Sequence, residues 1–201
     1  MERQMRQRLG MRALCHTAAL ALMLASAGCG KGAPLRGVAI DPPRVVPAFS
    51  FARASGAAFS TGPEGDHFTV LFFGYTHCPD VCPTTLSDWQ RVKHALGDDA
   101  SRVRWLFVTV DPERDTRALA EKYAQQFDST FIGLSGDSST TARMQQAFGV
   151  ASIHEKSSAD SSYLMSHSSQ VFLVDPLGRL VTMYPFGSGW DALLADLRRL
   201  L

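Results

Sequence analysis

Two kinds of apolar pattern alternate along most of the chain. Residues 68–75 (FTVLFFGY) and 103–110 (VRWLFVTV) are short, nearly unbroken apolar runs rich in β-branched and aromatic side chains. Such runs are what strands covered on both faces look like, as in a central parallel sheet. Between them the period changes. Over 84–96 the residues Leu86, Trp89, Val92 and Leu96 fall on one helical face, and Gly97 stops the helix. Residues 116–127 predict a second helix with Leu119, Tyr123 and Phe127 on one stripe, 131–134 a short strand, and 138–148 a third helix. Residues 170–174 and 180–184 alternate as strands around the turn Asp175-Pro176-Leu177-Gly178, and 190–201 closes as an amphipathic helix.

Upstream, Phe49, Phe51 and Phe59 flank a turn at Gly56 and predict a short hairpin. Residues 30–47 are rich in Gly, Pro, Ala and Arg without a sustained period and read as a tether, so the domain begins near Ala48. Residues 151–162 are polar and Ser-rich, and read as a loop. Strand–helix–strand–helix–strand–helix, finished by an antiparallel hairpin and a helix, describes an α/β fold: a mixed sheet with helices on both faces. A thioredoxin-like arrangement fits this order, as do other α/β sandwiches.

Composition supports a packed core, with 45% hydrophobic and 19% charged residues. A formal net charge of +1, with no basic run interleaved with aromatics beyond the N-terminus, argues against nucleic acid as a partner. The N-terminus changes the picture more. Arg3, Arg6, Arg8 and Arg12 precede the apolar stretch 13–25, and the small residues Ser26-Ala27-Gly28 lead to Cys29. That is the pattern of an export signal, too short in its apolar part for an ordinary spanning helix. Small residues before a Cys resemble the lipobox of bacterial lipoproteins, although Ser26 stands where Leu is usual. The resemblance implies lipidation of Cys29 and a domain held at the extracytoplasmic, periplasmic face of a membrane. The alternative is cleavage by an ordinary signal peptidase, with Cys29 incidental. Cys15 leaves with the signal, so the exported domain keeps Cys78 and Cys82 in a compartment where thiols are not reduced by default.

Those two cysteines lie in residues 74–83 (GYTHCPDVCP), where the first buried strand ends and the first helix begins. Functional groups of open α/β sheets collect at the carboxyl ends of strands. A thiol at a helix N-terminus also faces unpaired N–H groups and the positive dipole end, which favour thiolate. Thiolate serves metal binding and disulfide exchange alike. At i, i+4 the two sulfurs can project from one face and grip a metal. A disulfide brings Cβ atoms within about 4.5 Å, which asks for local unwinding, and Pro79 and Pro83 make the segment irregular enough to permit it.

Two thiolates leave a soft metal short of donors. Two thiolates suit Cu(I), and an added imidazole lets the same site tolerate Cu(II). Structural zinc takes four closed ligands, and the domain has no other Cys. Of the histidines, His94 follows the helix pattern and His67 sits at the far end of its strand. His77 abuts Cys78, where ligation by both neighbours is strained, and suits an electrostatic or supporting role. His154 falls in the Ser-rich loop. His167 precedes the strand 170–174, and in a thioredoxin-like topology that loop faces the cysteines. Position alone leaves His167 open between a ligand and a packed histidine.

GYTHCPDVCPTTL, then VTVDPERDT at 108–116, then Ser166-His167-Ser168 before QVFLVDPLG resemble the Sco family, also called SenC. Its members are membrane-tethered thioredoxin-fold proteins that help mature the dinuclear copper centre of cytochrome c oxidase. The resemblance covers residues 48–201. It implies a thioredoxin-like mixed sheet with flanking helices and an N-terminal hairpin extension, and one copper ion on Cys78, Cys82 and His167. It also implies that Asp111 supports the site's geometry. From the residues alone, Asp111-Pro112 is equally a strand end, with Asp115 or Thr116 capping the next helix. Many relatives carry Asp before the ligand His. Ser166 stands there in this chain, so a contact that orients the imidazole is missing or supplied otherwise.

The partners implied are the copper-site subunit of cytochrome c oxidase, other periplasmic copper chaperones or thiol reductants, and a membrane through the lipid anchor. Two roles stay open. One is a metallochaperone that passes copper by ligand exchange. The other is a thiol–disulfide reductant using Cys78 and Cys82 as a redox pair. Copper transfer needs His167, and simple reduction does not. A peroxiredoxin-like peroxidase would want an isolated peroxidatic Cys.

Overall fold

A computed structural model describes residues 34–156 and 163–201; the expected signal and Cys29 lie outside the described residues. Among the described residues ten strands and four α-helices follow in chain order. They are β1 (Val38–Val45), β2 (Ser50–Ala52), β3 (Ala58–Ser60), β4 (Phe68–Gly74), α1 (Val81–Leu96), β5 (Val103–Thr109) and α2 (Arg117–Gln125). Then come β6 (Ile132–Leu134), α3 (Ser138–Phe148), β7 (Ser152–Lys156), β8 (Tyr163–His167), β9 (Val171–Val174), β10 (Arg179–Tyr184) and α4 (Trp190–Leu200).

Six strands form one mixed sheet in the order β1-β10-β9-β4-β5-β6. β4 is parallel to β5, and β5 to β6, while β9 runs antiparallel to β4. All seven residues of β4 are buried, which explains its unbroken apolar run: neighbours flank it on both edges and helices cover both faces. Register partners Phe72 and Phe107 meet Trp89 of α1 and Tyr123 of α2 on one face. Phe73 points to the other face, against Phe148 of α3. Burying each of these rings stabilises the fold by about 1.5–3 kcal/mol. The hairpin β2–β3 forms as its aromatic pattern predicts, with Phe51 opposite Phe59.

Three expectations change. Residues 38–45, read as tether, are an edge strand pairing antiparallel with β10, and the folded unit starts at Leu35. Its register shifts between Ala39 and Arg44, around Pro42 and Pro43, so the alternation that marks a strand is lost; Pro is tolerated at such an edge. The Asp196 carboxylate on α4 accepts from the Arg36 and Gly37 amides at 2.8–2.9 Å, which ties the segment down. Second, Tyr123 and Phe127 of the expected stripe pack against the core, but α2 buries Ala120 and Ala124 where Leu119 is exposed. The small residues let the helix backbone press on β6: a Cβ at Gly133 would lie 1.9 Å from the Ala120 carbonyl oxygen. Third, the Ser-rich loop contains strand β7, paired with β8 from Ser152↔His167 to Lys156↔Tyr163. This ribbon pairs only with itself, and its β7 side chains at 153–155 are exposed. Met165 of β8 reaches the core, but β7 has no buried face at 153–155 to write an apolar period into it.

Candidate metal centre

The site is assembled at the carboxyl end of β4. A Cβ at Gly74 would stand 2.8 Å from Cys82 Sγ and 2.7 Å from the Phe107 ring, so the strand must end in glycine for Cys82 to pack there. The chain then turns, with the Cys78 amide donating to the Tyr75 carbonyl at 3.2 Å. Helix α1 starts at Val81, and Asp80 at its cap position makes no side-chain capping bond. Instead the Cys82 amide in the first turn donates to Cys78 Sγ at 3.4 Å. The sulfur thus takes one of the helix's orphan N–H groups, a placement that stabilises negative charge.

Both cysteines are free, Cys78 half-buried and Cys82 buried. They share one proton. The Cys78 thiol is lowered to about 3, chiefly because the Cys82 side chain donates to it, with His167 and backbone groups of Asp80 and Cys82 helping against burial. Cys82 is pushed far upward by the same hydrogen bond and then by burial. The arrangement is therefore a half-exposed thiolate backed by a buried thiol.

His167 ends β8. Its Nδ1 lies 3.1 Å from the Ser168 carbonyl oxygen, to which it donates, leaving the Nε2 lone pair 4.0 Å from Cys82 Sγ. The rings of Phe72 and Tyr75, each 6.0 Å away and edge-on, fix the imidazole plane. A main-chain carbonyl thus orients the imidazole, and Ser166 beside it is exposed. Metal–sulfur and metal–nitrogen bonds of ~2.3 and ~2.0 Å sum to ~4.3 Å, so one ion can span the gap between Cys82 and His167. Among the described residues no three or more His, Cys, Asp or Glu side chains are already closed into a cage. Cys78, Cys82 and His167 adjoin, and a metal held by all three would draw them together and displace the Cys82 proton.

The other candidates lie apart. His77 is 54% exposed, with Nδ1 3.1 Å from Thr76 Oγ1 and 3.6 Å from Asp115, on the side facing α2. His94 is exposed near the end of α1, and His67 bonds the Glu64 carbonyl at the opposite end of β4. His154 is on β7, not in a loop, with its ring centroid 4.8 Å from that of Tyr163. Asp111 is fully buried and touches neither cysteine: it accepts from Arg114 Nε at 2.5 Å and from the Tyr163 hydroxyl at 2.8 Å.

The chain resembles known proteins. The SCO1/SenC family profile matches residues 38–201. A solution structure of apo Sco1 from Thermus thermophilus superposes with a TM-score of 0.75 at 35% identity, covering 86% of this chain and all of that one. The chain belongs to the SCO1/SenC family. ScoI of Bradyrhizobium japonicum, solved with copper bound, is 36% identical with a TM-score of 0.70, over 78% of this chain and 99% of that one. The mitochondrial SCO2 homolog of Danio rerio is 36% identical over 59% of this chain. The match spans only 43% of that relative's length. The thioredoxin-like α/β fold expected from the sequence is the fold of these SCO1/SenC structures.

Within this SCO1/SenC chain, Asp115, read from the sequence only as a possible helix cap, and Arg114 and Tyr163, which carry no sequence signal of their own, shape the site. Asp115, also fully buried, accepts from the Thr76 amide and hydroxyl at 2.8 and 2.6 Å and from Thr109 Oγ1 at 2.6 Å, and so holds the turn that leads to Cys78. The helix cap it was considered for is made by Thr116, which accepts from the Leu119 amide. Arg114 stacks 3.6 Å over the Tyr163 ring and donates to the Tyr163 carbonyl at 2.8 Å. Asp111, Arg114 and Tyr163 together clamp β8, the strand that ends in His167. The signal available was two carboxylates four residues apart just past a buried strand.

Proposed function

We propose that this protein binds a single copper ion through Cys78, Cys82 and His167 and delivers it to the dinuclear copper centre of cytochrome c oxidase. The carrying observation is the 4.0 Å approach of His167 Nε2 to Cys82 Sγ, with Nδ1 already committed to a carbonyl. Two sulfurs and one imidazole form a donor set suited to Cu(I) that tolerates Cu(II). The copper-bound Bradyrhizobium relative supports the choice of metal, and the family resemblance supports the oxidase as recipient. Cys78 offers its sulfur as thiolate, Cys82 releases a proton when the ion arrives, and the Ser168 carbonyl keeps Nε2 aimed inward. Cargo bound by three donors, one on a separate strand, can leave one donor at a time as a recipient supplies its own. Export and acylation of Cys29 would hold the domain at the extracytoplasmic membrane face, where the recipient's copper site is built.

The paired thiols favour a second reading, reduction of the recipient's disulfide. Cys78 thiolate attacks one sulfur of that disulfide and the other leaves as thiolate. Cys82 then displaces the mixed disulfide, leaving a Cys78–Cys82 disulfide and two recipient thiols. His167 separates the readings. Anaerobic copper titration of the reduced protein should show one tight equivalent and a Cu(II)–thiolate charge-transfer band in wild type. In His167→Ala that band and tight Cu(II) binding should vanish while Cys78–Cys82 redox cycling persists. Full Cu(II) affinity in the variant removes His167 from the site, and weak copper binding in wild type with a readily cycled disulfide puts reduction first.

A further inference from the structure

The cleft holding Cys78 and His167 does not end at the metal site. Ser169, two residues beyond His167, is a wall of that cleft and also of a second cavity of about 190 Å³. This cavity runs along α1 from Thr84 and Thr85, just past Cys82, to the 185–189 turn before α4. Its walls are aromatic: Trp89 lies buried at the back, while Phe186 and Trp190 remain 52% and 36% exposed. Large exposed rings beside a reactive centre are the usual anchors of an interface. Among the described residues one charged side chain lines the cavity, Asp88, and no cation does. Desolvation raises the Asp88 carboxyl, only partly offset by Arg91, whose Nη1 lies 3.3 Å away on the exposed surface of the helix. A partly dehydrated carboxylate among aromatic faces is a receptor for a cation.

We infer that this cavity seats a basic side chain, Arg or Lys, of the copper-receiving protein, and thereby registers the recipient's metal-binding segment against Cys78, Cys82 and His167. The inference deepens the chaperone reading and rests on it for the partner. Ligand exchange requires the recipient's chain to lie across the cleft, and Ser169 makes the cavity its continuation. Charge selects the occupant: the aromatic walls accept any bulky side chain, and Asp88 favours one carrying a positive charge.

The test uses Cu(I)-loaded full-length protein and the soluble copper-site domain of the oxidase subunit, reading both the transfer rate and the binding of the copper-free domain by calorimetry. Asp88→Lys and Trp190→Ala should each slow transfer and weaken binding at least tenfold. Transfer to a small chelator should stay within twofold, since neither residue touches the metal donors. Changing the recipient's basic residues to Glu one at a time should find one whose defect Asp88→Lys repairs. Wild-type rate and affinity in Asp88→Lys overturn the inference. So does a defect in Trp190→Ala alone, which assigns the cavity to an apolar side chain, or equal slowing toward the chelator. Should wild type transfer no copper, the chaperone reading fails, and the calorimetric comparison alone decides the cavity.

Discussion

The clamp on β8 can be tested by removing one oxygen. Tyr163→Phe keeps the ring under Arg114, at 3.6 Å, and keeps the carbonyl that Arg114 bonds. Only the 2.8 Å hydrogen bond from the phenol to the buried Asp111 carboxylate is lost. Desolvation and the Asp111 acceptor raise the phenol's pKa, so it is a donor throughout the neutral range. A hydrogen bond to a charged group contributes about 1.5–3 kcal/mol, and Asp111 retains its bond from Arg114. Because β7–β8 is a ribbon outside the main sheet, the loss should fall mainly on where His167 sits. If all of it appears in imidazole positioning, Cu(II) affinity drops ~10- to 100-fold, since each ~1.4 kcal/mol is tenfold. Cu(I), held mostly by the two sulfurs on the β4–α1 turn, should weaken less than about threefold. Competition titrations with Cu(II) and Cu(I) chelators, run beside thermal unfolding, separate the effects. A lower melting temperature with Cu(II) affinity unchanged would show that Tyr163 steadies the hairpin without placing His167, and the clamp argument would fail.

Three further outcomes are expected. An ordinary thiol loses reactive thiolate tenfold per pH unit below its pKa of ~8.5. Cys78, lowered to about 3, should keep a flat iodoacetamide rate from pH 8 to pH 5 and lose it only nearer pH 3, while Cys82 stays unlabelled; a rate falling tenfold per unit from pH 8 would contradict the shared proton. Gly74→Ala places a Cβ 2.8 Å from Cys82 Sγ and 2.7 Å from Phe107, so unfolding in urea should reveal a loss of about 1–3 kcal/mol together with weakened copper binding. Asp196→Ala strands the Tyr184 hydroxyl, which donates to it at 2.8 Å, and the Arg36 and Gly37 amides. Calorimetric melting should show a destabilisation of about 3 kcal/mol or more, with hydrogen exchange rising in β1 and copper affinity unmoved.

The strands β4 and β5 and the helix α1 were legible because each is shaped by a local rule. A strand flanked and covered on all sides is apolar throughout, and a helix packed on one side repeats its apolar residues every three or four positions. The cysteine pair was legible for a similar reason, since its members lie four residues apart at the junction where β4 gives way to α1. β1 and β7 were not. One is an edge strand broken by prolines and the other a self-paired ribbon, and neither buries a face that could impose a period on its sequence. The apolar stripe expected along α2 holds at Tyr123 and Phe127 but not at Leu119, because apolarity marks what is greasy, whereas close approach of the helix to Gly133 selects what is small.

The donor set itself divides along the same line. Sequence by itself determined the α/β class, the thiols at the end of a central strand, and a short list of histidines. Tertiary structure brings one of them, His167, to within 4.0 Å of Cys82 across 85 residues. It also decided that Asp115 reaches 39 residues back to the cysteine turn and Asp111 reaches 52 forward to Tyr163. Periodicity records whether a side chain faces the core. It carries no record of which distant buried group completes a carboxylate's hydrogen bonds or fills a sulfur's empty side, because those pairings exist only once the sheet has brought the strand ends together.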